Sequence, residues 1–358
     1  MADGPAPSSG SEIHVSLIAI PDASISTLSG IYDVLNSFGM LAGADPAIPQ
    51  RPPFKVEIVG ERRGPLTLMS GLAVDAQRGF DEVTATDIVI APSFMLRGNA
   101  WEKGRYPALV DWAKAMHAQG ASLCSACSGI FLLAETGLFD GRDSTVHWGY
   151  APAFRKAFPK VPIKPEQVLM VAGRNQELIS SGASMSWHDL ILYLIGRHVG
   201  VTAAQSVARF FALQWHQDGL APFIVFDGAR DHGDAAVLAA QDWLATHFSV
   251  AAPVEEMVKR AAIPERTFKR RFTNATGLAP IAYVQRLRIE DAKRRLERTE
   301  EPVDEIGWKV GYEDGASFRR LFKRTTGLTP GAYRRRFQVP GFARADGQER
   351  SGSAKSAR

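Results

Sequence analysis

A stretch of sixteen residues near the C-terminus of this chain repeats itself at an offset of 50. Phe268 to Tyr283 reads FKRRFTNATGLAPIAY and Phe318 to Tyr333 reads FRRLFKRTTGLTPGAY, with nine of sixteen positions identical. Two copies are too few for a solenoid, which needs three or more, so a duplicated helix pair is the architecture that fits. In each copy a short helix (254–262 or 303–310) leads through a tight turn into a second helix. That second helix carries Phe268 and Phe272, or Phe318 and Phe322, at i and i+4, a spacing that turns both rings to one buried face. The basic residues between them must then lie on the outer face. An apolar stripe that anchors a helix and an arginine face left free is how a helix is built to enter a DNA major groove.

The surroundings agree. From Ala236 onward strand signals disappear and helical segments follow one another over 236–248, 254–262, 265–273, 281–298, 303–310 and 315–323. Prolines stand at or near the helix starts, where a missing N–H costs nothing, and Gly277, Gly311 and Gly327 stand at the ends. The helix 281–298 joins the two units, and Ala282, Ile289, Ala292 and Leu296 give it a buried face. It would hold the two outer helices about one DNA turn apart, roughly 34 Å. Charge divides the same way: from Ala236 there are 24 Lys+Arg against 15 Asp+Glu, a net of +9, whereas the first 235 residues hold 18 against 23, a net of −5. A basic module behind an ordinary one points to a polyanionic partner.

The segment 304–337 resembles the AraC/XylS signature, in which a helix ending in Gly and Phe or Tyr is followed by F-x-R-x-F-K-x-x-x-G-x-T/S-P-x-x-Y/F-R. The matching residues are Gly311, Tyr312, Phe318, Arg320, Phe322, Lys323, Gly327, Thr329, Pro330, Tyr333 and Arg334. The resemblance covers about 236–337 and implies seven helices with two helix-turn-helix units on one face, binding successive major grooves. By position in the family pattern, Arg266, Lys269 and Arg270 of the first unit and Ala316, Arg319 and Arg320 of the second are implied as the DNA-reading residues. Pro264 is a departure, standing where the family often has a small polar cap.

The first half alternates strand and helix patterns: strands at 13–20, 54–59, 87–90 and 121–124, helices at 28–38, 106–119 and 128–135, with 186–196 and 203–213 as closing helices. Alternation of this kind indicates parallel βαβ units and a flavodoxin-like, doubly wound parallel sheet. The expected organisation is a disordered leader (1–11), an α/β domain (12–216), a linker rich in Gly, Pro and Asp (217–235), an all-α domain of two helix-turn-helix units (236–338) and a disordered tail (339–358). No apolar run approaches the ~20 residues that span a bilayer. With only Cys124 and Cys127 there is no disulfide framework, and a reducing cytoplasm is the natural compartment.

A buried strand runs into Cys127-Ser128-Gly129 and then a helix, the strand–turn–helix elbow that presents a nucleophile at its apex. The helix N-terminus is expected to lower the thiol's pKa, and His147, twenty residues on, to approach it. This stretch and the α/β pattern resemble the class I amidotransferase-like PfpI-type fold, and its union with an AraC domain resembles the GlxA-type regulators. Cys127 matches the elbow cysteine and His147 the histidine of T/S-x-H-W. Active members carry His directly after the Cys, where Ser128 stands, and a carboxylate near Thr27. With both absent, the resemblance implies no catalytic residue and a repurposed pocket. Ligands in such folds bind at the carboxyl ends of the parallel strands, where Asp22, Ser93, Cys127 and Ser128 should converge with His147. There the resemblance implies a small effector, an amino-acid or quaternary-amine metabolite. No cofactor or metal is expected: Cys124-x-x-Cys127 has no second ligand pair.

The reading is a cytoplasmic, homodimeric transcription regulator that binds double-stranded DNA and a small molecule, without a membrane partner. Two rivals stay open at this stage: a Cys-dependent amidase or peptidase-like enzyme with a helical appendage, and a DNA-compacting protein without sequence preference.

Overall fold

The computed structural model describes residues 12–340 apart from 44, 97 and 99. The leader 1–11 and the tail beyond 340 therefore lie outside the described residues. The chain divides into two units between Leu220 and Ala221.

In the first unit, β1 (Ile13–Ile18) is followed by α1 (Ile25–Asn36), the single-turn α2 (Phe38–Leu41) and β2 (Phe54–Gly60). A small antiparallel hairpin, β3 (Gly64–Thr67) and β4 (Ala73–Ala76), precedes the two-residue β5 (Arg78–Gly79). Then come β6 (Ile88–Ala91), α3 (Pro107–Ala118), β7 (Ser122–Ala126), α4 (Ile130–Ala134) and α5 (Ala151–Ala157). The unit closes with β8 (Leu169–Ala172), β9 (Leu178–Ser181), α6 (Trp187–His198) and α7 (Val201–Phe210). Seven strands form one sheet in the order β5-β2-β1-β6-β7-β9-β8. Every pair is parallel except β8, which runs antiparallel to β9. The doubly wound sheet is thus parallel with one reversed edge. The sequence reading missed β8 and β9, because Gly173 and the polar residues after it look like loop, and it missed α5.

Both faces of the sheet are covered, which is why its central strands are apolar throughout. Side chains alternate along each strand. Val15, Leu17, Ile88, Ile90, Cys124 and Ala126 point into one core with α1 and α6. Ile18, Val89, Ala91 and Leu123 point into the other with α3 and α4.

The second unit holds seven α-helices among the described residues: α8 (Ala235–His247), α9 (Pro253–Ala261), α10 (Glu265–Thr276), α11 (Pro280–Arg298), α12 (Val303–Lys309), α13 (Gly315–Thr326) and α14 (Pro330–Phe337). The last was not among the expected helices, since GAYRRR carries no apolar period. The repeat is legible atom by atom. Phe268 and Phe272 meet at 5.7 Å, Phe318 and Phe322 at 5.8 Å. Tyr283 stands edge-on to Phe272 at 5.3 Å and Tyr333 to Phe322 at 5.4 Å. Thr276 and Thr326 each donate their hydroxyl to the carbonyl of that second Phe, and each accepts the backbone N–H of the leucine two residues on. Gly277 and Gly327 end the two helices at φ of 73° and 80°, a conformation glycine adopts without a Cβ clash. Each copy builds its own core, one around Met257, Phe268, Phe272 and Tyr283, the other around Ile306, Phe318, Phe322 and Tyr333.

The stretch 217–235 is not a free linker. Leu220 is buried in the first unit, its N–H donated to the Glu166 carbonyl at 2.8 Å. From 221 on, the chain packs on the second unit: Phe226 stands edge-on to Tyr283, the Ile224 carbonyl accepts from Lys293 at 2.6 Å, and the Ala229 carbonyl from Gln241 at 2.9 Å. Turn residues punctuate the stretch, but the apolar anchors between them decide its structure.

Candidate functional site

On the helical unit, α10 and α13 expose the residues that their Phe stripes leave outside. Arg266, Lys269 and Arg270 are exposed on α10, and Ala316, Arg319 and Arg320 on α13. Arg266 and Arg270 make no ion pair among the described residues. Lys269 meets Glu265 one turn back at 2.5 Å. Arg319 reaches Asp304 on α12, and Arg320 donates to the Ser317 hydroxyl at 2.8 Å with Asp314 at 3.8 Å. Exposed pairs of this kind are worth at most about 1 kcal/mol and exchange readily for phosphate. Arg271, next to Arg270, turns the other way: it holds Asp234 through two hydrogen bonds of 2.8 and 2.7 Å. Asp234 in turn caps α8 by accepting from Val237. Sequence proximity alone would not separate these two arginines; the helical period does.

α13 is capped by Asp314, whose carboxylate accepts from the Ala316 and Ser317 N–H groups. α10 begins at Pro264 with no side-chain cap, as the departure at that position implies. α11 carries Ile289, Ala292 and Leu296 in its buried face; Ala282 is only half-buried, and Tyr283 and Val284 are the buried residues of its first turns. Arg288 at the middle of α11 is buried and donates to three carbonyls: Phe248 and Val250 ahead of α9, and Gly311 ahead of α13, each at 2.8 Å. One guanidinium thereby ties both helix-turn-helix units to the helix that joins them, a tie the sequence did not announce.

The elbow forms, but its chemistry differs from expectation. Cys127 sits at φ +53°, the strained conformation of a nucleophile elbow. A Cβ on Gly129 would lie 2.3 Å from the Ala91 carbonyl, so only glycine allows this approach. Burial pushes the Cys127 thiol up, and hydrogen bonds from Ser184, Ser128 and Ser93 do not offset it. The helix N-terminus that was expected to depress the thiol is a 3-10 turn followed by five residues, all buried, and desolvation dominates. His147 does not pair with the thiol. Its Nδ1 accepts from the Gly149 N–H at 3.1 Å and its ring stacks on Trp148 at 4.0 Å, while the Cys127 Sγ lies 3.5 Å from the Ser184 hydroxyl. Ser184 was not foreseen; no local motif marks it.

Ser128 is fully buried. Its hydroxyl donates to the Phe94 carbonyl at 2.6 Å and accepts the Phe94 N–H at 2.7 Å, stapling the elbow to the β6 loop. Ser93 takes a hydrogen bond from Thr27 at 3.1 Å, so these two join Cys127 in a buried row of hydroxyls. Asp22 is drawn elsewhere. Its Oδ2 takes Arg105 and the Tyr106 hydroxyl, both at 2.6 Å, and its buried Oδ1 has no partner among the described residues. Asp22 lines a cavity of about 350 Å³ with Met95, Leu96, Trp101 and Arg105. The five expected pocket residues thus separate into a hydroxyl row, a staple, a capping histidine and a carboxylate in its own cavity. No described helix is long and apolar enough to cross a membrane.

Residues 257–336 match the helix-turn-helix domain and residues 47–184 the DJ-1/PfpI family. The HTH-type transcriptional regulator CdhR of Pseudomonas aeruginosa is 24% identical over 271 residues, 74% of this chain and 77% of that protein. GlxA, an HTH-type transcriptional regulator of Rhizobium meliloti, is 27% identical over 200 residues, 56% of this chain and 60% of that protein. The isonitrile hydratase of Pseudomonas putida is 25% identical over 195 residues, 54% of this chain and 76% of the enzyme.

Proposed function

We propose that this chain, which joins a DJ-1/PfpI-type α/β domain to an AraC-type helix-turn-helix domain, is a transcription regulator that reads two successive major grooves with α10 and α13. The observation that carries the reading is the exposed basic face repeated on two helices whose Phe pairs, Thr caps and glycine ends match atom for atom. Arg270 and Arg320 sit at equivalent positions of that face and, with Arg266, Lys269 and Arg319, are the base-reading candidates, while the basic surface around them supplies phosphate contacts and hence salt-dependent affinity. Ala316 leaves room for a base edge or a thymine methyl group.

The α/β unit is proposed to sense a small molecule, and the regulator to act as a cytoplasmic homodimer. The 350 Å³ cavity supports an effector site, for Asp22, Arg105 and Trp101 stand in its wall and one buried Asp22 carboxylate oxygen has no partner among the described residues. The elbow favours a non-enzymatic role. A thiol held protonated by burial, with a serine rather than an imidazole beside it, lacks the base that activates a nucleophile. Iodoacetamide should modify Cys127 no faster than an ordinary buried thiol at neutral pH; rapid modification, with amide or nitrile-type turnover lost in Cys127→Ala, would restore the enzyme reading. The test of DNA reading is selection of a bound duplex from random sequence, followed by footprinting. Arg270→Ala and Arg320→Ala should each relax one half of the selected site, and a footprint spread over any duplex would contradict the proposal.

A further inference from the structure

Away from both surfaces, three side chains with metal-ligating atoms meet at the start of α6. His188 and Asp189 stand in its first turn, and His216 arrives from the segment beyond α7. One ligand atom from each lies within 4.8 Å of the others. His188 and Asp189 are 8% and 4% exposed, and His216 is half-buried. We propose that His188, Asp189 and His216 form a binding site for a divalent transition-metal ion, with zinc as the preferred occupant.

The donor set selects the ion. Two imidazoles and one carboxylate suit zinc and its neighbours, whereas magnesium and calcium want oxygen on every side. Distances agree with a shared centre. Donors that each lie about 2.0–2.2 Å from one cation stand roughly 3–3.5 Å from each other. His188 Nε2 is 3.5 Å from Asp189 Oδ2. The Gln214 carbonyl, 2.9 Å from the same nitrogen, brings a fourth donor atom to the place. His216 Nδ1 is closer, 2.6 Å from Asp189 Oδ2, a hydrogen bond that must lengthen by less than about one ångström for both atoms to face a cation. Each imidazole becomes a ligand when its proton moves to its other ring nitrogen, so no reactant is required beyond the ion.

The support around the ligands is already built. The second Asp189 oxygen accepts the His216 backbone N–H at 3.0 Å, which fixes the carboxylate. His188 Nε2 and His216 Nδ1 both approach the same Asp189 oxygen, at 3.5 and 2.6 Å. Outer contacts of this kind hold ligand orientation in metal sites. The half-buried His216 edge offers the way in. An ion here would fasten the segment 214–216 to α6, four residues ahead of Leu220, where the first unit ends. The competing account is a hydrogen-bonded clamp that needs no ion, and the two accounts differ in a measurable way.

The full chain, stripped with a chelator and then freed of it, is titrated with zinc in a calorimeter. The proposal predicts one equivalent bound per chain. His216→Asn retains a donor for the Asp189 carboxylate but removes the imidazole, and it should weaken zinc binding at least about tenfold. The double variant Cys124→Ala/Cys127→Ala should bind as the parent does. Should His216→Asn fail to fold, as judged by circular dichroism in chelator, cobalt bound to the parent chain decides. Its spectrum should show nitrogen and oxygen ligation without a thiolate charge-transfer band. No uptake by the parent, unchanged affinity in a folded His216→Asn, binding lost with the cysteines, or a thiolate band would each overturn the proposal.

Discussion

Cys124 and Cys127 lie three residues apart, and burial raises the pKa of both free thiols. Cys124 faces the core beneath α6 and is pushed up to about 12 by burial. A thiol whose folded value exceeds its unfolded one, roughly 8.5, contributes its full stability below that unfolded value. Above it the unfolded chain binds fewer protons, and stability falls until pH nears 12. In chemical unfolding measured between pH 8 and 10.5, Cys124 alone should therefore contribute a decline of up to about 1.4 kcal/mol per pH unit across that window. In Cys124→Ala the decline should be shallower, and an unchanged slope would contradict this account. At the DNA face, Arg270→Ala or Arg320→Ala should cost about 1–3 kcal/mol on the selected site and relax preference at one base. Competition binding against single-base variants checks this, and uniform weakening on all sequences would reassign that arginine to phosphate.

Between elements, much depends on how α11 is held. Arg288 is its only buried arginine among the described residues, and it binds carbonyls on both sides of the duplication. Arg288→Met should destabilise the helical unit by about 3 kcal/mol, since three carbonyls lose a charged donor; a thermal melt that did not move would show that water replaces it. Loss of the Asp314 cap in Asp314→Ala should cost about 1 kcal/mol, read in the same melt. The helical half was legible in sequence because its signals are local and doubled: Phe268/Phe272 and Phe318/Phe322 announce a buried stripe, and Gly277 and Gly327 an ending. In the α/β half β1, β2, β6 and β7 were legible, since apolar runs alternate there with helical segments, whereas the short β3, β4 and β5 were not. Beyond it, β8 and β9 were hidden, because Leu169–Ala172 and Leu178–Ser181 are four residues each. The elbow was placed correctly, but the partner of its thiol was not. Ser184 lies 57 residues from Cys127, and nothing local in the chain indicates which of His147 and Ser184 the fold brings up to the sulfur. The same holds for His216, brought to His188 and Asp189 by the return of the chain past α7.

For the molecule as a whole, charge and architecture point to one partner. The net +9 of the C-terminal part and −5 of the rest concentrate attraction for a polyanion on the half that carries the repeat. Binding to DNA should weaken steeply as salt rises, in proportion to the phosphates neutralised. Rigid spacing makes the stronger demand. Two reading helices fixed on one scaffold meet two grooves only when the half-sites lie about one turn, 10–10.5 base pairs, apart. The most direct measurement is the affinity for a selected duplex into which about five base pairs, half a turn, are inserted between its halves. The account predicts that affinity drops to the level of unrelated DNA and returns in part when a full turn is inserted. Affinity unchanged by the half-turn insertion would contradict it.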